Sequence, residues 1–361
     1  MPAPCFNPTA MQDLLKQVSR SFYLTLRILP RSINPQLSLA YLLARASDTI
    51  ADTKLIEARR RLEALLQIRK SIQEACTGKK PGLPDLGDLS AAQKAIAGDG
   101  SPAERTLLEK LGAILDALRG FSAADRLRIR SVLDTITHGQ EMDLLRFQSA
   151  SADRIVALGT DADLDEYTYS VAGCVGEFWT HMCRAHVFPR AALDDSVLLA
   201  NAIRFGKGLQ LVNILRDLPR DLRQGRCYIP QDQLSKHGLR TSDLLDAARM
   251  DRFRPLYEIY LRKTEDYLAA GWQYTTMLPV RCMRIRLACS WPILIGMRTV
   301  NELRGGNVLD DRFQIRISQA DTWRLILRSI LFYPIPRIWH GLFEFGRNRE
   351  SKGKSPISGT V

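Results

Sequence analysis

The stretch Gly206-Lys-Gly-Leu-Gln-Leu-Val-Asn-Ile-Leu-Arg-Asp-Leu-Pro-Arg-Asp221 combines an apolar helical pattern with a pair of carboxylates. Its polar residues at spacings of three and four share one helix face: Gln210, Asn213, Asp217 and Asp221. Pro219 lies between the two aspartates and cannot donate a hydrogen bond to the carbonyl four residues earlier. The pattern therefore predicts a buried helix that either kinks at Pro219 or starts a new turn there.

A second stretch, Tyr41-Leu-Leu-Ala-Arg-Ala-Ser-Asp-Thr-Ile-Ala-Asp52, has the same organisation. Steps of four, three and four place four side chains on one face: Tyr41, Arg45, Asp48 and Asp52. Two carboxylates one helical turn apart in apolar surroundings need cations, and Mg²⁺ binds one or two carboxylates together with phosphate oxygens. Two such faces opposed across a cavity would hold several Mg²⁺ ions and a diphosphate. The alternative is two solvated helix faces.

Apolar residues recur at helical spacing along most of the chain. Three examples are Leu14–Leu26, Leu39–Ile50 and Leu107–Leu118, whereas residues 313–317 are the best short candidate for a strand. Residues 77–102 contain five Gly and three Pro and predict a surface loop or insertion. With 45% hydrophobic and 25% charged residues, the composition is globular and excludes collagen-like or disordered chains. We expect an all-α protein with about ten or more helices.

The charge of the chain is strongly basic and unevenly distributed. It carries 51 Lys+Arg against 39 Asp+Glu, a net charge of +12, and the last fifty residues contribute nine basic and three acidic residues. Such a balance suggests nucleic acid, an anionic membrane or an anionic substrate. We expect no nucleic-acid binding, because no binding motif is present. Residues 323–345 interleave aromatic and aliphatic residues with Arg, which predicts either contact with an anionic membrane surface or a last helix packed on the core.

The seven cysteines predict reduced thiols, mostly in the core, because none forms a C-x-x-C pair. No signal peptide and no uninterrupted apolar run of about 18 residues is visible. We therefore expect a cytoplasmic protein that is at most peripheral to the inner face of a membrane.

Four motifs, in this order, resemble the squalene/phytoene synthase family of head-to-head prenyl diphosphate synthases. They are Ser19-Arg-Ser-Phe22, Arg45-x-x-Asp-Thr-Ile-Ala-Asp52, Tyr167-Thr-Tyr-Ser-Val-Ala-Gly-Cys-Val-Gly-Glu177 and Asn213-Ile-Leu-Arg-Asp-Leu-Pro-Arg-Asp-Leu-Arg-Gln-Gly-Arg-Cys-Tyr-Ile-Pro230. The resemblance implies a single all-α isoprenoid-synthase domain around a deep central cavity, over residues 11–318. Residues 1–10 would be an N-terminal tail and residues 319–361 a basic, aromatic-rich C-terminal tail.

The resemblance also implies roles for individual residues. Mg²⁺ would be bound by Asp48, Asp52, Asp217 and Asp221. Substrate diphosphate would be bound by Ser19, Arg20, Ser21, Arg45, Gln210, Asn213, Arg216 and Arg226. Tyr41 and Tyr169 would join the aspartates in catalysis. Residues 308–316 resemble a segment that helps to hold NADPH, with Arg316 and Asn213 as the contacts and Gln314 in place of a second basic residue.

The implied reaction joins two farnesyl diphosphates to presqualene diphosphate and reduces this intermediate with NADPH to squalene. One alternative is a dehydrosqualene or phytoene synthase that omits the reductive step. A second alternative is a non-catalytic partner subunit with the same fold, which the two intact aspartate pairs disfavour.

Overall fold

Helices account for nearly all regular structure in the computed structural model, which describes residues 8–19, 23–53, 57–83, 102–310, 312, 315 and 317–347. The helices of these residues are α1 Pro8–Val18, α2 Tyr23–Arg27, α3 Asn34–Asp52, α4 Ala58–Cys76, α5 Pro102–Glu109, α6 Leu111–Arg119, α7 Ala123–Arg146, α8 Asp161–Thr168, α9 Cys174–His186, α10 Asp195–Arg223, α11 Gln231–Lys236, α12 Met250–Met277, α13 Met283–Gly305, α14 Gln319–Leu331 and α15 Pro336–Arg347. The all-α prediction is confirmed.

Short elements complete this part of the chain. A π-helix, Tyr169–Gly173, joins α8 to α9, and the 3₁₀-helices Thr241–Leu245 and Ala247–Arg249 precede α12. The strands β1, Val156–Ala157, and β2, Arg226–Cys227, form a two-residue parallel pair.

Local predictions differ from the structure in two places. The apolar run 107–118 is divided at Lys110, between α5 and α6, so it is two short helices and not one. The strand predicted at 313–317 falls mostly outside the described residues, as does most of the loop predicted at 77–102. Of that loop, the described residues 77–83 follow the end of α4 in a turn, as expected.

Helix α10 is the central element of the fold. It packs against α9 and the π-helix on one side and against α12 and α13 on the other. Its apolar side chains Leu211, Leu215 and Leu218 are buried in the same cluster as side chains of α12 and α13. A second cluster joins α1–α7 and α9 to parts of α10, α12 and α13, with Phe205 of α10 packed against both clusters. The polar face of α10 is thereby held in the middle of the molecule.

Two glycines let α10 cross α9 and the π-helix that precedes it with the backbones in contact. A Cβ atom on Gly176 would lie 2.0 Å from the carbonyl oxygen of Ala202, and one on Gly206 would lie 2.2 Å from that of Ala172. Because atoms cannot approach so closely, any side chain at either position would push the helices apart. The crossing therefore requires glycine at both positions.

Helix α10 continues through Pro219 to Arg223, so the predicted alternative of a new turn at Pro219 is wrong. Proline lacks the N–H that would bond the carbonyl of Leu215. The hydroxyl of Tyr257 on α12 donates to that carbonyl instead, at 3.1 Å. The break in the hydrogen-bond ladder is thus repaired by a neighbouring helix, and the aspartates on either side of Pro219 stay on one helix.

The last helices are packed on the core. Trp339 and Phe343 of α15 are buried, and their rings stack on Trp272 of α12 at centroid distances of 4.8 Å and 5.4 Å. No helix in the described part of the chain is long and apolar enough to cross a membrane. The six cysteines that the structure describes are free thiols, five of them buried, as predicted; Cys5 lies outside the described residues.

Candidate active site

Two cavities of opposite character lie along α10. The first has a volume of about 550 Å³ and is polar. It is lined by Asp52, Thr53, Tyr167, Gln210, Asn213, Ile214, Asp217, Arg220, Asp221, Gln224, Arg226 and Tyr228. The second has a volume of about 160 Å³ and is apolar. It is lined by Thr25, Val171, Ala172, Val175, Gly176, Trp179, Ala202, Phe205, Gly206, Leu209, Tyr274, Ala288, Cys289 and Pro292.

The two cavities adjoin, because the same elements line both. On α10 the lining changes from apolar at Leu209 to polar at Gln210, its neighbour in the chain. On the opposite wall it changes between Tyr167 of α8 and Val171 of the π-helix, about one helical turn later. The site therefore offers a polar chamber for a charged group and an apolar chamber for a hydrocarbon chain.

The first aspartate pair lies at the C-terminal end of α3. The side-chain amide of Gln140 on α7 donates to Asp48 Oδ1. Burial raises the pKa of Asp48 to about 7, and the negative charge of Asp52 adds to that increase, while Arg45 and Gln140 oppose it. Asp52 itself lines the polar cavity. A proton or a cation is thus needed to neutralise this pair at neutral pH.

The second aspartate pair lies near the C-terminal end of α10, and both of its members line the polar cavity. Asp217 accepts two hydrogen bonds from Arg216, at 2.8 Å and 2.7 Å. Burial raises the pKa of Asp221 to about 7, and the charge of Asp217 adds to this effect. Three of the four predicted aspartates therefore line a single cavity, with Asp48 one helical turn behind Asp52.

A buried polar network beside this cavity was not predicted from the sequence. Asp143 of α7 accepts a hydrogen bond from the Tyr228 hydroxyl at 3.0 Å and forms an ion pair with Arg226 at 3.4 Å. Burial raises its pKa to about 6, although Arg226 and Tyr228 oppose the increase. The ring of Tyr167 stacks on Tyr228 at 4.8 Å. The spacing of Gln140 and Asp143, which places both on one face of α7, was the available signal.

Tyr167 shows that the two aspartate pairs converge. Its pKa is raised first by burial and then by the negative charges of Asp143, Asp52 and Asp221, which come from three different helices or their ends. All three carboxylates therefore lie close enough to one hydroxyl to act on it electrostatically.

Glycine at position 225 places Arg226 in this network. Gly225 follows the end of α10 with φ of +77°, a conformation that other residues rarely adopt. It turns the chain into β2, whose pairing with β1 directs Arg226 toward α7. The glycine of the Gln-Gly-Arg sequence thus provides the turn that brings Arg226 to Asp143.

The donor set fits a magnesium site. Within the cavity lining, Asp52, Asp217 and Asp221 face two guanidinium groups, Arg220 and Arg226, which leaves a net charge of −1 when all are ionised. An anionic diphosphate could enter only with additional cations. The described residues contain no cluster of three acidic, His or Cys side chains that would chelate a metal on its own. This arrangement suits Mg²⁺, which takes one or two carboxylates and completes its shell with water and phosphate oxygens.

Several other predicted residues lie near the cavity. Gln210 and Asn213 line it, and the amide of Asn213 donates to Gln210 at 3.4 Å. Arg216 points at Asp217. Tyr41, by contrast, lines neither cavity; it lies one turn before Arg45 on α3, half-buried against the second hydrophobic cluster. Of the two residues expected to contact NADPH, Asn213 is therefore in the polar cavity.

The structure does not bring every predicted residue to the cavity. Arg45 forms an ion pair with Glu104 of α5 at 2.5 Å. Ser19 is buried, and its hydroxyl donates to the carbonyl of Leu15 in the preceding helix. Tyr169 donates to Glu177 at 3.0 Å and is not among the residues that line either cavity. The remaining predicted contacts, Arg20, Ser21 and Arg316, lie outside the described residues.

Comparison with known proteins identifies the family. A family model described as squalene/phytoene synthase matches residues 15–319, which is most of the chain. The chain belongs to the squalene/phytoene synthase family. This is a family of head-to-head prenyltransferases, and the matched range agrees with the resemblance seen in the motifs.

Curated relatives of the chain include phytoene synthases, some of them bifunctional with a lycopene cyclase. The bifunctional lycopene cyclase/phytoene synthase of Pyrenophora tritici-repentis is 27% identical over 312 residues, which are 85% of this chain and 47% of that protein. The chain spans about half or less of the length of the first curated relatives that it matches.

Solved structures of the family show the same fold. TcSQS in complex with the ligand E5700 superposes with a TM-score of 0.72 and 20% identity, over 95% of this chain and 92% of that chain. The squalene synthase HpnC from Alicyclobacillus acidocaldarius has a TM-score of 0.58 and 18% identity, over 82% and 92%. The predicted isoprenoid-synthase fold is therefore confirmed.

Proposed function

We propose that this protein catalyses the Mg²⁺-dependent head-to-head condensation of two farnesyl diphosphates and, with NADPH, reduces the resulting presqualene diphosphate to squalene. One observation carries the proposal: carboxylates from two separate helices line a polar cavity that adjoins an apolar one. A prenyl diphosphate has the same two parts, an anionic head and a hydrocarbon tail. Intact aspartate pairs on both helices also argue against a non-catalytic partner subunit.

The polar chamber would bind the diphosphate groups. Arg220 and Arg226 line it and supply guanidinium donors, which match phosphate oxygens in geometry and charge. Bound between Asp48, Asp52, Asp217 and Asp221, Mg²⁺ would neutralise the charge that develops on diphosphate as it leaves. The Asp143 carboxylate, through its ion pair, would hold Arg226 in place.

The apolar chamber would hold the prenyl chain and protect the allylic cation. Its lining includes the aromatic rings of Trp179, Phe205 and Tyr274. Aromatic faces attract cations, and apolar walls exclude the water that would otherwise capture the cation as an alcohol. The close crossing of α9 and α10 at Gly176 and Gly206 forms part of this wall.

Squalene is proposed as the product because the motif of residues 45–52 and the segment 308–316 resemble those of squalene synthases. A phytoene synthase that uses geranylgeranyl diphosphate is the second candidate. It is favoured by the curated relatives, which include the phytoene synthase of Thermus thermophilus, 36% identical over 110 residues. The tyrosine at position 169 also matches the pattern of the phytoene and dehydrosqualene synthases more closely than that of the squalene synthases.

The mass of the hydrocarbon product distinguishes these candidates. The purified protein would be incubated with Mg²⁺ and either farnesyl or geranylgeranyl diphosphate, with and without NADPH, and the extract analysed by mass spectrometry. We expect squalene from farnesyl diphosphate only when NADPH is present. Phytoene from geranylgeranyl diphosphate alone would support the second candidate, and a dehydrosqualene whether or not NADPH is added would remove the reductive step.

A further inference from the structure

Exposed apolar side chains are concentrated on the last two helices. Among the described residues, large hydrophobic side chains that are exposed within residues 323–338 form one set, here called the outer face. Its members are Trp323, Leu327, Ile330, Leu331, Ile335 and Ile338. The other exposed large hydrophobic residues are spread over several elements between residues 66 and 280. Contiguous exposed apolar surface marks an interaction site, whereas single exposed residues are ordinary.

The outer face is displayed by helices that are firmly packed on their other side. Ile326 is buried against Trp291 of α13, and the Trp291 indole donates to the hydroxyl of Ser329 at 2.8 Å. The exposure of the outer face is thus not the result of a detached segment. In α15, Trp339 is buried while Ile338, the preceding residue, points outward.

Basic side chains surround the outer face. Arg324 and Arg328 lie between its members on α14, and Arg337 does so on α15, all of them exposed. Arg281 and Arg284, also exposed, stand near the start of α13, where the Tyr333 hydroxyl donates to the carbonyl of the neighbouring Val280 at 2.6 Å. Nearby acidic residues are fewer: Asp321, which pairs with Arg324 at 3.2 Å, and Glu344.

We propose that the outer face docks on the surface of an anionic lipid bilayer, with its aliphatic side chains and Trp323 at the headgroup level and its arginines at the lipid phosphates. An apolar face flanked by basic residues is the pattern of a helix that lies in the membrane interface. A symmetric pairing of two copies through the same face is less favourable, because it would bring Arg324, Arg328 and Arg337 close to their own counterparts.

The position of the outer face suits a hydrocarbon product; this consequence, unlike the docking itself, rests on the proposed function. Ala288, Cys289 and Pro292 of α13 line the apolar cavity, while Leu287 and Trp291 on another side of that helix pack against α14. The cavity and α14 are therefore separated by the thickness of one helix, α13, and the outer face lies on the far side of α14. A water-insoluble product would have a short path from its site of formation to lipid.

Vesicle sedimentation of the 361-residue chain tests the docking. The test variant is Leu327→Glu/Leu331→Glu, whose leucines are 65% and 64% exposed, and the matched control is Leu127→Glu/Leu145→Glu, whose leucines are 63% and 53% exposed. Both variants change the net charge equally. With phosphatidylcholine vesicles that contain roughly one-third phosphatidylglycerol, we expect at least about a ten-fold loss of binding for the test variant and less than about two-fold for the control.

The outcomes separate lipid docking from the alternatives. Equal losses in both variants, or no binding of the unmodified protein, would overturn the proposal. If the outer face instead pairs two copies, the unmodified protein would be a dimer without vesicles and the test variant a monomer. This result would also overturn the proposal.

A second measurement uses the fluorescence of Trp323. Brominated lipid should quench it, and Trp323→Phe should abolish the quenched part of the fluorescence while the helical signal and the melting temperature persist. None of these readouts requires prenyltransferase activity, so docking can fail while the proposed function stands.

Discussion

At the scale of residues, the aspartates of the two pairs could be predicted from the sequence. Two carboxylates four residues apart share one helix face, and in apolar surroundings they indicate a cation-binding site. Asp48, Asp52, Asp217 and Asp221 lie where two helices end, in otherwise apolar sequence. The partners from α7 could not be predicted in this way. Asp143 belongs to no pair, and its contacts with Tyr228 and Arg226 join positions more than eighty residues apart. The ion pair between Arg45 and Glu104 was missed for the same reason.

The stability of the metal-free protein should depend on Asp48 and pH. Its pKa is raised from about 3.9 in an unfolded chain to about 7 in the folded state, so the folded state binds this proton more tightly. The stabilisation is fully present below about pH 4 and is lost as the pH rises toward 7. Asp48→Asn removes this loss. We therefore expect the variant to gain free energy of unfolding relative to the unmodified protein between pH 5 and pH 8, measured by urea unfolding in a chelator.

Asp116→Asn is the control for that measurement, because Asp116 is exposed on α6. Its difference from the unmodified protein should be the same at both values of pH. Added Mg²⁺ should stabilise the unmodified protein at pH 8 more than Asp48→Asn, because the metal binds only the folded, ionised site. A pH-independent difference for Asp48→Asn would contradict the account of the buried pair.

Replacement of Asp143 should weaken substrate binding through Arg226. In Asp143→Asn the guanidinium loses its ionised partner, and we expect the KM for the prenyl diphosphate to rise by roughly ten-fold or more, with a smaller change in kcat. Tyr228→Phe removes a hydroxyl that donates to the same carboxylate and accepts from Tyr167 at 3.4 Å, but it leaves the ion pair between Asp143 and Arg226 in place and should have a weaker effect on KM. Steady-state kinetics measures both, and a larger effect of Tyr228→Phe would show that Asp143 does not act through Arg226.

At the scale of elements, helix α10 shows what the sequence could and could not predict. Its apolar run and its polar face were readable, but a proline in the helix interior normally interrupts the backbone ladder. The contact that allows Pro219 comes from α12, where Tyr257 reaches the carbonyl of Leu215. No local pattern could have indicated that a tyrosine 42 residues later in the chain would complete the ladder.

A double-mutant cycle tests this repair. Tyr257→Phe leaves the buried carbonyl of Leu215 without its donor, and we expect a loss of about 1–3 kcal/mol in the free energy of unfolding. In a Pro219→Ala background the backbone N–H at position 219 can bond this carbonyl, so the same tyrosine substitution should cost less. Equal losses in both backgrounds, measured by denaturant unfolding, would show that the hydroxyl does not compensate for the proline.

Alanine at the crossing of α9 and α10 should destabilise the protein. In Gly206→Ala the new Cβ atom would meet the carbonyl oxygen of Ala172, and we expect a cost of about 1–3 kcal/mol together with lower activity. Gly341→Ala in α15 is the matched control, because a Cβ atom there has no neighbour within 4 Å. There the better helix propensity of alanine should leave stability equal or higher by about 0.5–1 kcal/mol. The melting temperatures would be measured by thermal unfolding. An equal decrease in both variants would refute the close crossing.

At the scale of the whole molecule, the arginines of this basic chain serve two separate regions. Arg220 and Arg226 face the aspartates in the polar cavity, and further arginines surround the outer face of the last helices. For residues 323–345, a packed last helix and a membrane contact were predicted as alternatives. The structure buries Trp339 and Phe343 and exposes Trp323 and Leu327, so one face packs on the core while another stays available. Composition could not show this, because it does not record which residues share a face.

We propose that the two aspartate pairs, on separate helices, act together on a diphosphate bound with Mg²⁺. This claim is tested by measuring the release of inorganic diphosphate from farnesyl diphosphate by the unmodified protein, Asp48→Asn and Asp217→Asn, with and without Mg²⁺. We expect release only with Mg²⁺, and a loss of roughly a hundred-fold or more in either variant, because each pair alone leaves the leaving group's charge incompletely neutralised. Release without Mg²⁺, or unchanged release in either variant whose fold is intact, would contradict the claim.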